Sequence, residues 1–125
     1  MGKQILLVDD DALVLKTLTR LLEKAGHTVR AFQDSREAIQ AAMCDDFDLV
    51  VTDIRMPNVD GYEAIRYIRE IRSKSQKDAI KEIMITGYAE DLEEARSKVN
   101  PHAMVFKPFG AKEFVEIVNR VLSEK

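Results

Sequence analysis

The sequence predicts an α/β fold: one doubly wound, five-stranded parallel sheet with helices on both faces. Three observations predict it. Short apolar runs read as buried strands, segments with apolar residues at helical spacing separate them, and the alternation repeats five times within 125 residues. With 46% hydrophobic content, that length fits one domain, residues 1–125, with its own core.

The first strand is Ile5-Leu6-Leu7-Val8, an unbroken apolar run ended by acids. Val14, Leu15, Leu18, Leu21 and Leu22 then recur at helical spacing, and Gly26 stands where a helix ends. Thr28-Val29-Arg30-Ala31-Phe32 is the second strand, and Asp34-Ser35 opens a helix through Ala38, Ile39, Ala42 and Met43. Leu49-Val50-Val51-Thr52 is the third strand. After a loop over 53–61, Ala64, Ile65, Ile68 and Ile71 define the third helix, and the polar residues 72–78 read as a surface connection. Ile83-Met84-Ile85 is the fourth strand. The helix over 90–99 is weakly apolar, with only Leu92, Ala95 and Val99, and Asn100-Pro101 closes it. Met104-Val105-Phe106 is the fifth strand, and Phe114, Ile117, Val118, Val121 and Leu122 make the last helix amphipathic. Five such units with right-handed crossovers favour the flavodoxin-like strand order 2-1-3-4-5, in which ligands bind outside the carboxyl ends of the strands near the switch in order.

Nineteen Lys and Arg against 22 Asp and Glu give a net charge of −3 without a basic block, which argues against direct nucleic-acid binding. No apolar stretch approaches a membrane span and no signal peptide is read, so a soluble, cytoplasmic protein is expected. The one cysteine, Cys44, is expected as a buried small apolar residue in a reducing compartment.

The residues just after the strands are Asp9 and Asp10, Asp53, Thr86 and Lys107. Singly, each has an ordinary explanation: an Asp or Thr caps a helix and a Lys is solvated. Together they converge on one edge of the sheet. Close carboxylates repel by roughly 4 kcal/mol per pair at an effective dielectric near 20, so a compensating cation is expected. Mg²⁺ suits carboxylates and retained waters, whereas zinc would want His or Cys. His27 and His102 fall away from this edge and read as structural or surface residues.

Val8-Asp9-Asp10-Asp11, Asp53-Ile54-Arg55-Met56-Pro57 with Asp60-Gly61, Ile85-Thr86-Gly87-Tyr88-Ala89 and Phe106-Lys107-Pro108-Phe109 together resemble the receiver domain of two-component response regulators, over the whole chain. The resemblance implies that Asp53 accepts a phosphoryl group from the phosphohistidine of a sensor histidine kinase or phosphotransfer protein. It implies Mg²⁺ held by Asp10 directly, by Asp9 through water, by Asp53, and by the backbone carbonyl of Arg55. Lys107 would offset charge on the phosphoryl oxygens, Thr86 would hydrogen-bond them, and a cis peptide bond would precede Pro108. Such a chain is a phosphoacceptor that takes part in catalysing its own phosphorylation and dephosphorylation, not a conventional enzyme, and signals to a downstream protein or effector domain. Arg55 and Tyr88 stand where the family flanks the path of attacking water, and Met104 where an aromatic is common.

Three other readings compete. A haloacid-dehalogenase-like phosphatase would make Asp9 the nucleophile and Asp11 the acid, whereas Asp11 reads as opening the first helix. A flavin or nucleotide module would need a glycine-rich phosphate loop, which is missing. A degenerate receiver serving as a dimerisation module would be expected to lack site residues, and all five are present.

Overall fold

A computed structural model describes residues 2–124. Its elements run β1 (Gln4–Val8), α1 (Ala12–Lys24), β2 (Thr28–Phe32), α2 (Ser35–Cys44), β3 (Leu49–Asp53), α3 (Gly61–Lys74), β4 (Lys81–Thr86), α4 (Asp91–Lys98), β5 (Ala103–Phe106) and α5 (Ala111–Ser123). The strands form one parallel sheet in the order β2-β1-β3-β4-β5, as the sequence predicts.

Alternate side chains of the central strands feed opposite faces. Ile5, Leu7, Val51, Ile83 and Ile85 pack with Leu18 and Leu22 of α1 and with Phe114, Val118 and Val121 of α5. On the other face Leu6, Val8 and Val50 meet Ala38, Ala41 and Ala42 of α2 and Ile68 of α3. A third cluster beneath α3 and α4 holds Ile54, Tyr62, Ile65, Met84, Ala95 and Val99, with Met104 half-buried against it. The small residues of α2 let that helix sit close to the sheet. The edge strand β2 is largely exposed, unlike the fully buried β3.

Local chemistry sets the helix ends. Asp11 caps α1, accepting from the amides of Leu13 and Val14, and Gly26 follows that helix at φ +97, a conformation that favours glycine. Asp60 and Glu63 form a reciprocal capping box at the start of α3. The Lys107–Pro108 bond is cis.

Few apolar anchors hold α4: Ala95 within it and Val99 at its end. Polar links supplement them. Arg69 of α3 pairs with buried Glu82 at 2.5 Å and donates to the Val99 carbonyl at 2.5 Å, fixing the carboxyl end of the helix.

Two expectations are corrected. Residues 72–74 belong to α3, and Arg72 is buried: its guanidinium reaches Asp46 at 2.7 Å and the Asp78 carbonyl at 2.7 Å, so its charge is satisfied while its stem packs. Cys44 is exposed, as is Met43, because the buried face of α2 is Ser35, Ala38, Ala41 and Ala42, and helical spacing turns residues 43 and 44 to the opposite side. The histidines are structural: His27 bridges the Lys3 amide and Asn119, and His102 accepts from the Glu82 amide.

Candidate functional site

Because the strands are parallel, their carboxyl ends share one edge, and the switch in order sets β1 beside β3 there. Asp9 and Asp10 leave β1, and Asp53 ends β3. Oxygens of these three carboxylates lie within 4.8 Å of one another. Asp9 and Asp53 are buried and Asp10 is exposed. Backbone amides orient the buried pair: Asp11 donates to Asp9 at 2.9 Å and Ile54 to Asp53 at 3.0 Å. Lys107 enters from the end of β5, held by a hydrogen bond from its amide to the Thr86 carbonyl. Its ammonium lies 3.3 Å from Asp53 and 3.5 Å from Asp9.

The cluster carries a charge imbalance. Burial, then the neighbouring Asp9 carboxylate, pushes Asp53 up to about 6, against the pull of Lys107. Burial likewise raises Asp9, opposed by the Asp11 amide and Lys107. Burial alone would lower Lys107, but Asp53 and Asp9 outweigh it and raise the ammonium above its ordinary value. Three carboxylates against one ammonium leave a formal excess of two negative charges when all are ionised. Oxygen-only donors with that excess fit a hard divalent cation and not a soft or borderline one.

Thr86 and Arg55 are differently placed from the acids. Buried Thr86 donates its hydroxyl proton to Asp91 Oδ2 at 2.5 Å and accepts from the Tyr88 amide at 3.2 Å. The Arg55 guanidinium grips the same Asp91 through Nε and Nη2, at 3.2 and 3.0 Å, and lies 3.6 Å from the centre of the Tyr88 ring. Arg55 is the largest influence on Asp91, holding its carboxyl below the usual range against the effect of burial, with help from Thr86. The Asp91 side chain is only 4% exposed. Sequence reasoning missed this residue, which reads as one of several acids opening a charged helix.

Gly61 has a steric role. A Cβ there would meet the Asp53 carbonyl oxygen at 2.3 Å and the Ile54 Cα at 2.9 Å, both backbone atoms. The first turn of α3 therefore lies directly against the end of β3, tied by the Gly61 amide to the Ile54 carbonyl at 2.8 Å.

Residues 5–119 match the family model of the response regulator receiver domain. The chain belongs to that family. It is 34% identical over 121 residues to the response regulator receiver protein CpdR of Brucella abortus, covering 96% of this chain and 97% of that protein. It is 33% identical over 121 residues to the C4-dicarboxylate transport transcriptional regulatory protein DctD of Pseudomonas aeruginosa, covering 95% of this chain but only 25% of that protein's length. Among solved structures, the receiver domain of a P. aeruginosa sensor histidine kinase, with a magnesium ion coordinated in its active site cleft, aligns at a TM-score of 0.81 and 26% identity, covering 99% of this chain and 100% of that one. This receiver domain of two-component signalling thus has relatives that are nearly the same length and relatives in which it corresponds to one part. Among the described residues, no helix is long and apolar enough to cross a membrane.

Proposed function

We propose that residues 1–125 act as one phosphoacceptor domain in which Asp53 takes a phosphoryl group from the phosphohistidine of a sensor histidine kinase or phosphotransfer protein. The observation that carries this is a buried carboxylate at the switch in strand order, 3.3 Å from an ammonium and beside two further acids. With its ionisation pushed up to about 6, Asp53 is largely a carboxylate at pH 7 and above, and is available as a nucleophile. One of its oxygens attacks phosphorus, the phosphorus–nitrogen bond to imidazole breaks with its electron pair returning to the ring, and an acyl phosphate results. Lys107 offsets negative charge on the transferred oxygens, and Thr86 supplies a hydroxyl to one of them. Attack by water on the same phosphorus returns the Asp53 carboxylate and releases phosphate.

Asp9, Asp10, Asp53 and the backbone carbonyl of Arg55 would hold Mg²⁺. When bound, it supplies positive charge next to the reacting oxygens. The phosphatase alternative loses its general acid, because the Asp11 carboxylate is engaged by two helix amides at 2.9 and 3.3 Å. The domain works in the cytoplasm, where its kinase presents the phosphohistidine, and passes the signal to a downstream protein or effector domain.

Intact mass spectrometry after incubation with acetyl phosphate and Mg²⁺ tests the assignment. One phosphoryl mass is expected on the parent and none on Asp53→Ala. Retention of the mass by Asp53→Ala, with loss in Asp9→Ala, would overturn it.

A further inference from the structure

The Thr86 hydroxyl has one proton, and that proton is already committed. It is donated to Asp91 Oδ2 at 2.5 Å, in a buried setting where a carboxylate acceptor is stronger than a neutral one. The oxygen of the same hydroxyl accepts from the Tyr88 amide at 3.2 Å, so the rotor is fixed from both sides. A phosphoryl oxygen on Asp53 is also an acceptor and needs a donor. The Thr86 proton cannot serve Asp91 and a phosphoryl group at once.

We propose that Asp91 is a positioning residue of the phosphoryl site: it holds the Thr86 hydroxyl proton in the unphosphorylated protein and thereby opposes phosphoryl acceptance. The inference rests on the phosphoacceptor reading of Asp53. Arg55 sets Asp91 in place with two hydrogen bonds, so the carboxylate remains directed at Thr86 without relying on the short helix α4 alone. Tyr88 backs the guanidinium through its ring and the hydroxyl through its amide. Arg55 from the β3–α3 loop, Thr86 from β4, Tyr88 from the β4–α4 loop and Asp91 at the start of α4 form a connected latch. Its breaking costs a charge-assisted hydrogen bond, which phosphorylation must offset. Once Thr86 turns away, Asp91 retains Arg55 and is not left as an unpaired buried charge.

The test compares the parent, Asp91→Asn, Thr86→Ala and the double variant, each titrated with beryllofluoride in the presence of Mg²⁺ and followed by NMR. Asp91→Asn makes the acceptor neutral and should tighten beryllofluoride binding about three- to tenfold. In the Thr86→Ala background there is no hydroxyl to hold, and the same substitution should leave affinity unchanged. An equal change in both backgrounds would mean that Asp91 acts through helix stability alone and would overturn the proposal. In the free proteins, the Thr86 methyl resonance should shift on Asp91→Asn; an unmoved resonance would show that the contact does not exist in solution and would overturn it independently of any phosphoryl chemistry. Absence of beryllofluoride binding in every variant would instead refute the phosphoacceptor reading, and the inference with it.

Discussion

Replacing Asp53 with asparagine should stabilise the metal-free protein, and the gain should depend on pH in a specific way. The Asp53 carboxyl is raised from 3.8 to about 6 in the folded chain, chiefly by burial and next by Asp9. Its folded value lies above its unfolded value, so the folded state binds the proton more tightly. Below about pH 4 the group is protonated in both states and the substitution should change little. As pH rises from about 4 to about 6 the unfolded chain releases its proton first, and the parent loses stability. Above about pH 7 the loss levels off at about 3 kcal/mol, from about two pH units at 1.36 kcal/mol each. Asp53→Asn should therefore raise the midpoint of thermal unfolding by about 10 °C at pH 7.5 without metal, and by almost nothing at pH 3.5. Calorimetry or circular dichroism in chelator, scanned across pH, reads this directly. A gain of the same size at pH 3.5 and 7.5, or no gain at either, would refute the account of a destabilising buried carboxylate.

Mg²⁺ should raise the melting temperature of the parent, and Asp10→Asn should remove most of that response; a magnesium titration with the parental midpoint in the variant would remove Asp10 from the ligand set. Arg55→Ala should destabilise the protein only modestly at neutral pH in urea unfolding, because the arginine side chain is 51% exposed and solvent screens its pairing with Asp91. Because Asp91 is held below 3.8, its contribution is present above that value and lost as pH falls through the folded one, so the Arg55→Ala deficit should shrink in acid. Gly61→Ala should destabilise by about 1–3 kcal/mol, because its new methyl meets backbone at 2.3 and 2.9 Å, and should weaken the magnesium response measured by the same melts.

The sheet and most helices were legible because burial on two faces leaves unbroken apolar runs, and α1 and α5 carry one clean apolar stripe each. β2 has the predicted bounds, since turn residues flank it. Composition misled at Arg72, where a long side chain reaches a carboxylate and a carbonyl from within a helix, and at Cys44, which lies on the face of α2 opposite its buried alanines. The acids and Lys107 were legible because parallel strands bring the residues after them to one edge. Burial, more than the expected mutual repulsion, dominates the raised carboxyls. Asp91 was not legible: its partner Arg55 is 36 residues away, and a pairing of that kind leaves no periodicity. The nearer hint is a hydroxyl five positions before an acid at a helix start, a spacing common in loops without any contact.

The two ends of α4 are fastened by different arginines, and this makes the helix a lever. Arg69 pins the carboxyl end to Glu82 and the Val99 carbonyl, among the described residues without a link to the acid cluster, while the amino end depends on Asp91. Eight residues at about 1.5 Å each give an arm of about 12 Å. If Asp91 rearranged while the Arg69 contacts held, this arm would turn about Val99, with displacement greatest beside Thr86 and fading towards Lys98. A partner that reads the state of this domain through α4 would gain most by gripping its amino end, where the exposed carboxylates of Glu90, Glu93 and Glu94 gather negative charge.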